Sequence, residues 1–165
     1  MTKIDTSKPV LVTGATGYVA GWLVKRLLEE GVHVHAAVRK PENKEKTAHL
    51  DRLARQSAGK ITYFKADLLD PGSYDTAMRD CELIYHTASP FTTVVDDPQG
   101  DLIDPAVKGT ENVLQSAMDT PTVTTNLTLG NCWRTLASPI EQSYADFFAS
   151  FETCGTNHGG LWTQG

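Results

Sequence analysis

Read as a string of hydrophobic and polar positions, residues 1–121 alternate between two textures. Short apolar runs recur at about Val10–Thr13, Val32–Val38, Ile61–Lys65 and Leu83–His86. The first is a continuous apolar run and predicts a strand buried on both faces, as in parallel sheets; the second alternates at its start and is fully apolar at its end, and the other two read as strands. Between them, apolar residues fall at helical spacing. Val19, Leu23 and Leu27, with Val24 and Leu28 alongside, mark a helix from about Tyr18 to Glu30. Gly31 follows, where a left-handed residue ends a helix. Pro41 opens a charged second helix with Leu50, Leu53 and Ala54 as its predicted inner face. Gly72 to Met78 reads as a short third. Asp104 and Pro105 form an N-cap and first-turn pair for a fourth, carrying Ala106, Val107, Thr110, Val113, Leu114 and Ala117. Strand–helix alternation of this kind predicts an α/β fold: a Rossmann-type, doubly wound parallel sheet with right-handed crossovers.

The texture changes near Thr122. Of the chain's 15 basic and 20 acidic residues, only Arg134, Glu141, Asp146 and Glu152 follow it. Val123, Thr125, Leu127 and Leu129 alternate with polar residues, which predicts a half-exposed strand where a buried one is due. Ser138-Pro139-Ile140-Glu141 reads as a capping box. The helix it would start, over 139–151, would line Ile140, Tyr144, Phe147, Phe148 and Phe151 on one face. Beyond Cys154 the chain is polar and glycine-containing, the composition of a disordered end. The predicted organisation is thus a partial dinucleotide-binding domain over 1–121 and a divergent tail over 122–165.

Composition narrows the possibilities. The 165 residues suffice for one domain with a modest core. No apolar stretch has membrane-spanning length. The N-terminus has no apolar signal core, so a cytoplasmic protein is expected. A net charge of −5 without a basic, aromatic-rich patch argues against nucleic acid. The three cysteines, Cys81, Cys132 and Cys154, are too scattered for a disulfide framework or zinc site. His33 and His35 are alternate residues of one strand with no ligand cluster beside them, so no metal site is expected.

The chemistry starts at Gly14-x-x-Gly17-x-x-Ala20, between the first strand and first helix. Gly14 permits a tight turn, Gly17 a close approach of backbone N–H groups to a pyrophosphate, and Ala20 close helix–strand packing. Gly14, Thr16, Gly17, Tyr18 and Val19 are the candidate phosphate-side residues. Near the end of the second strand, an NAD site wants a carboxylate for the ribose 2′-hydroxyl. Here stand Arg39 and Lys40. A guanidinium grips a 2′-phosphate, so NADP is expected over NAD; the alternative is two solvated surface cations.

Val-Thr-Gly-Ala-Thr-Gly-Tyr-Val-Ala, Ala-Ala-Val-Arg-Lys-Pro, Phe-Lys-Ala-Asp-Leu, Tyr-His-Thr-Ala-Ser-Pro and Val-Lys-Gly-Thr-Glu-Asn-Val-Leu occur in this order. Over roughly residues 8–121 they resemble the extended short-chain dehydrogenase/reductases, whose domain is of the NAD-dependent epimerase/dehydratase type. Within these, the likeness is to the group of dihydroflavonol, cinnamoyl-CoA and fungal aldehyde reductases. The resemblance implies an NADP-dependent oxidoreductase acting on a small-molecule carbonyl substrate. Arg39 would bind the 2′-phosphate. Asp67 and Leu68 would border the adenine, with Asp67 accepting from its amino group; the alternative for Asp67 is a carboxylate that caps a turn. Thr87, Ala88 and Ser89 would line the nicotinamide side. Lys108 and Asn112 would lie on the helix packed beneath. His86 is expected to be a core or strand-end histidine rather than a base.

The group's catalytic residues are a serine after the fifth strand and a Tyr-x-x-x-Lys pair, in which the lysine lowers the tyrosine's pKa. None of the five tyrosines here has lysine four positions later, and no lysine follows Lys108. Thr-Thr-Asn-Leu-Thr-Leu-Gly-Asn stands where the paired serines belong. No catalytic residue is therefore assigned. A phenol without a nearby cation keeps a pKa of about 10 and is a poor acid near neutrality. The expected function is the cofactor-binding portion of a carbonyl reductase, catalytically incompetent as it stands, with a shifted frame or misjoined exon near Thr122 as the cause. The alternatives are a non-catalytic NADP-binding sensor or regulatory protein, and a product whose uncovered sheet edge prevents stable folding.

Overall fold

Five parallel strands form one sheet in the order β3-β2-β1-β4-β5: β1 Val10–Thr13, β2 His33–Val38, β3 Lys60–Lys65, β4 Leu83–His86 and β5 Thr125–Thr128. The computed structural model describes residues 7–90 and 96–128. The expected helix over 139–151 and the expected disordered end lie outside the described residues. Four α-helices connect the strands: α1 Tyr18–Glu29, α2 Lys44–Gln56, α3 Asp75–Met78 and α4 Asp104–Met118.

Strand β1 is buried along its whole length because both faces are covered. On one face Val10, Val12, Val34, Ala36 and Val38 pack with Val24, Leu27 and Leu28 of α1 and Leu50 of α2. On the other, Leu11, Ala37 and Ile84 meet Met78 of α3 and Val113 and Ala117 of α4. The two-sided burial follows from the continuous apolar runs in the sequence.

Helix boundaries follow local hydrogen bonding. After α1, the Gly31 N–H donates to Leu28 O (3.1 Å) and the Val32 N–H to Leu27 O (3.0 Å). With Gly31 at φ +81°, this is a Schellman ending. Helix α2 starts at Lys44, later than Pro41, because Asn43 Oδ1 accepts from the Lys46 N–H. Helix α3 is shorter than the sequence pattern, beginning at Asp75. Asp104 is not an N-cap. A wide π turn over Gln99–Ile103 leads directly into α4, so Asp104 is already helical. The capping falls to Asp97, whose carboxylate accepts from the Gln99 and Gly100 N–H groups (both 3.1 Å). Strand β5 pairs with β4 in parallel, so the alternating stretch after Thr122 does extend the sheet. Among the described residues, no helix is long and apolar enough to cross a membrane.

Candidate functional site

Strand order reverses between β1 and β4. In an open parallel sheet, the crevice beyond the strands' carboxyl ends at such a point is where ligands sit. The two strands end there on Thr13 and His86, paired in register.

The turn after β1 is shaped by Gly14. Its φ is +63°, and its N–H donates to Ala37 O (3.0 Å). A Cβ there would lie 2.9 Å from the Ala88 Cα, so glycine is needed both for conformation and for contact with the β4 loop. Gly17 differs. Its φ is an ordinary −72°, and an added Cβ would meet only Gly14 O at 3.2 Å and the Ala20 Cβ at 4.0 Å. Neither backbone conformation nor packing against another element demands glycine here. The first turn of α1 has no side-chain cap and no acidic residue. Its N–H groups, which a helix cannot satisfy internally, are left for an anion. Tyr18 and Val19 are 84% and 60% exposed, so no described residue covers that end. Thr16 is half-buried beside them. These residues fit a pyrophosphate.

The β4 loop is locked to β1 by two hydroxyls, those of Thr13 and Thr87. Thr13 Oγ1 accepts from the Thr87 N–H and the Ala88 N–H, both at 3.1 Å. It lies 2.8 Å from His86 Nδ1. With both lone pairs engaged, the hydroxyl donates to Nδ1, which places the proton of the neutral ring on Nε2. Thr87 Oγ1 in turn donates to Thr13 O. His86 is buried, and burial lowers its pKa to about 4. It is a neutral core histidine tied to the floor of the site. Ala88 is half-buried against Gly14, and Ser89 is exposed.

At the end of β2, Arg39 and Lys40 are both exposed, and neither forms an ion pair with a described residue. Arg39 lies near buried Tyr74, whose phenol is pushed up first by burial and then by Asp67, with Arg39 opposing. The loop leaving β3 therefore shares a neighbourhood with Arg39. Asp67 Oδ1 accepts from the Leu69 N–H at 3.0 Å, a turn-capping bond that leaves Oδ2 without a hydrogen bond among the described residues. Leu68 rests on α4 at Gly109, where an added Cβ would come within 3.0 Å of its side chain. Lys108 is exposed, whereas Asn112 hydrogen-bonds the loop itself.

The arrangement thus brings together Gly14, Thr16, Gly17, Tyr18 and Val19 with Thr87, Ala88 and Ser89 at the switch point. Arg39, Lys40, Asp67 and Leu68 stand on the β2–β3 side. Sequence reasoning missed Thr13 as the fastener of two loops. A hydroxyl closing a fully apolar strand was the available signal. Elsewhere, Cys81 is buried with its thiol pushed up to about 12 by desolvation and by Asp80. No cluster of three or more potential metal ligands occurs among the described residues.

The profile of the NAD dependent epimerase/dehydratase family matches residues 10–129. The chain belongs to that family. This epimerase/dehydratase-family domain is 45% identical over 123 residues to a cinnamoyl-CoA reductase of Medicago truncatula, covering 74% of this chain and 37% of that protein. It is 43% identical over 117 residues to anthocyanidin reductase of Arabidopsis thaliana, covering 71% and 34%. Among solved structures it resembles Candida albicans Gre2 in complex with NADPH, at 30% identity and a TM-score of 0.62, over 73% of this chain and 36% of that one. The domain spans about a third of the length of the curated relatives it matches. The family match runs through β5, the strand at one edge of the sheet.

Proposed function

We propose that this chain is the NADP(H)-binding portion of a short-chain dehydrogenase/reductase-type carbonyl reductase. The observation that carries the reading is the pairing of an uncapped, exposed α1 N-terminus behind Gly14 and Gly17 with an exposed Arg39 at the end of β2 that forms no ion pair among the described residues. Gly17 and the first-turn N–H groups would hold the pyrophosphate, with Thr16, Tyr18 and Val19 around it. Arg39, with Lys40 beside it, would grip the 2′-phosphate, and no carboxylate stands there to favour NAD. Asp67 and Leu68 would border the adenine. Thr87, Ala88 and Ser89 would line the nicotinamide side. In a complete carbonyl reductase the reduced nicotinamide so held would supply a hydride to a small-molecule carbonyl.

These 165 residues contain no Tyr-x-x-x-Lys pair to deliver the accompanying proton, which supports binding without turnover. The same absence favours, as a second reading, a non-catalytic NADP-binding sensor.

Titration of the purified chain with NADPH and NADH, followed by nicotinamide fluorescence, tests the reading. NADPH is expected to bind more tightly, with no consumption in the presence of an aldehyde. Arg39→Ala is expected to weaken NADPH about ten-fold or more and leave NADH unchanged, as for loss of charge-assisted hydrogen bonds. Failure of NADPH to bind overturns the assignment. Turnover overturns the incompetence.

A further inference from the structure

We infer that Asn112 is a positioning residue for the adenosine end of the dinucleotide, setting the backbone path of the 67–72 loop from beneath. The inference rests on the cofactor reading above. Asn112 Nδ2 donates to the carbonyls of Leu68 (3.0 Å) and Asp70 (2.8 Å), and its Oδ1 accepts from the Gly72 N–H (3.2 Å). This set fixes the amide's orientation. Turned over, its oxygen would face two carbonyl oxygens and its NH2 group an N–H. One side chain therefore ties down alternate residues of a single loop.

The loop's other bonds close it on itself. Ser73 Oγ donates to Asp67 O (2.8 Å) and accepts from the Asp67 N–H (3.1 Å), and Asp67 Oδ1 takes the Leu69 N–H. None of these holds the loop to α4. Asn112 does, helped by Gly109 three residues earlier on the same helix face, where the missing Cβ lets Leu68 settle onto the helix. Gly72 ends the loop at φ +76°, with its N–H donated to Asn112. Because Asp67 and Arg39 both act on Tyr74, a loop displaced from α4 would move Asp67 relative to the proposed phosphate-binding cation. Asn112 hydrogen-bonds neither Asp67 nor Arg39 and acts through the backbone of Leu68, Asp70 and Gly72.

The test uses 2′,5′-ADP, which carries the adenosine end and the 2′-phosphate without the nicotinamide. It is titrated into the full chain and three variants by calorimetry, with thermal midpoints measured alongside. Asn112→Ala is expected to weaken 2′,5′-ADP about ten-fold, the order of one or two lost hydrogen bonds. Asn112→Asp is expected to weaken it at least as much, since a carboxylate would face two carbonyls. Ser116→Ala is the structural control. Ser116 Oγ, one turn further along α4, donates to Asp75 Oδ1 at 2.7 Å and does not touch the loop. It should lower the thermal midpoint comparably yet keep binding within about two-fold.

Unchanged binding in Asn112→Ala, or equal weakening by Ser116→Ala, overturns the inference while the cofactor reading stands. A wild-type chain that binds no 2′,5′-ADP overturns both. If the Asn112 variants do not fold, hydrogen exchange of the wild-type Gly72 amide decides: the nucleotide should slow it, and an unchanged rate overturns the inference.

Discussion

Two hydroxyls organise the two loops of the cleft, in opposite surroundings. Thr13 is fully buried between β1 and β4 and serves two backbone N–H groups and an imidazole. Ser73 sits in the exposed loop after β3 and serves the N–H and C=O of Asp67. The bonds are alike in kind. What differs is the alternative each partner has when the bond is lost: water for the Asp67 groups, nothing for His86 Nδ1 and little for the Thr87 and Ala88 amides. The β4 loop is held to β1 by the buried Thr13 hydroxyl and the Thr87 hydroxyl that bonds back to it. The β3 loop, closed on itself by Ser73, is tied to α4 by Asn112.

The sharpest way to break the buried side is to force its two loops apart. Gly14→Val should cost about 4 kcal/mol, combining left-handed strain at φ +63° with overpacking against Ala88. Urea unfolding measures this, and a loss below about 1 kcal/mol would mean that the β4 loop shifts freely. Thr13→Val keeps the shape but removes the hydroxyl. The expected loss is about 3 kcal/mol, from stranded N–H groups and the stranded Nδ1.

Acid probes the same fastener. The pKa of His86 is lowered to about 4 in the folded chain, against an ordinary 6.5. Between those values the unfolded chain takes up a proton that folded His86 refuses. Its contribution is therefore complete above pH 6.5, falls as the pH drops through that window and levels off below about pH 4. The total is of the order of 3 kcal/mol for this buried ring. His33, lowered to about 4 first by burial and then by His35 and Lys60, adds a slope of the same sign. The part due to His86 is read as the difference between wild type and His86→Asn, whose unfolding should depend less on pH. On the exposed side, Ser73→Ala removes two hydrogen bonds and should cost only about 1 kcal/mol. A loss equal to that of Thr13→Val would erase the contrast between the loops.

Much of this was legible in the residues. The strand ends, Gly31 as a helix terminator and the two-sided burial of β1 follow from local physics: periodicity, a left-handed position, continuous apolar runs. The misplaced starts of α2 and α4 have one cause. Asp104 has the composition of a cap, but a competing carboxylate at Asp97 takes the N–H groups of the preceding turn. Similarly, Asn43 captures the start of α2 after Pro41 has only bent the chain. Side chains that compete for the same backbone donors are hard to rank from composition, since the winner depends on turn geometry.

The candidate site shows the same division. Gly14, Gly17 and Arg39 announce themselves because each is chemically unusual at its position in the pattern. Thr13 and Asn112 do not. Their importance lies in partners 73 to 75 and 40 to 44 residues away. Read in sequence, each is one polar residue in an ordinary strand or helix.

The sequence by itself determined the kind of fold, the place of the glycine turn and the positive end of β2, because these depend on residue type and spacing over a few positions. Only the tertiary structure decided that Gly14 is fixed by Ala88, that His86 is a neutral acceptor, and that one amide on α4 holds the β3 loop. Those facts are set by groups brought together through the crossover connections of the sheet. Whether a polar group is stranded or satisfied there is a property of three-dimensional surroundings, which no local pattern encodes.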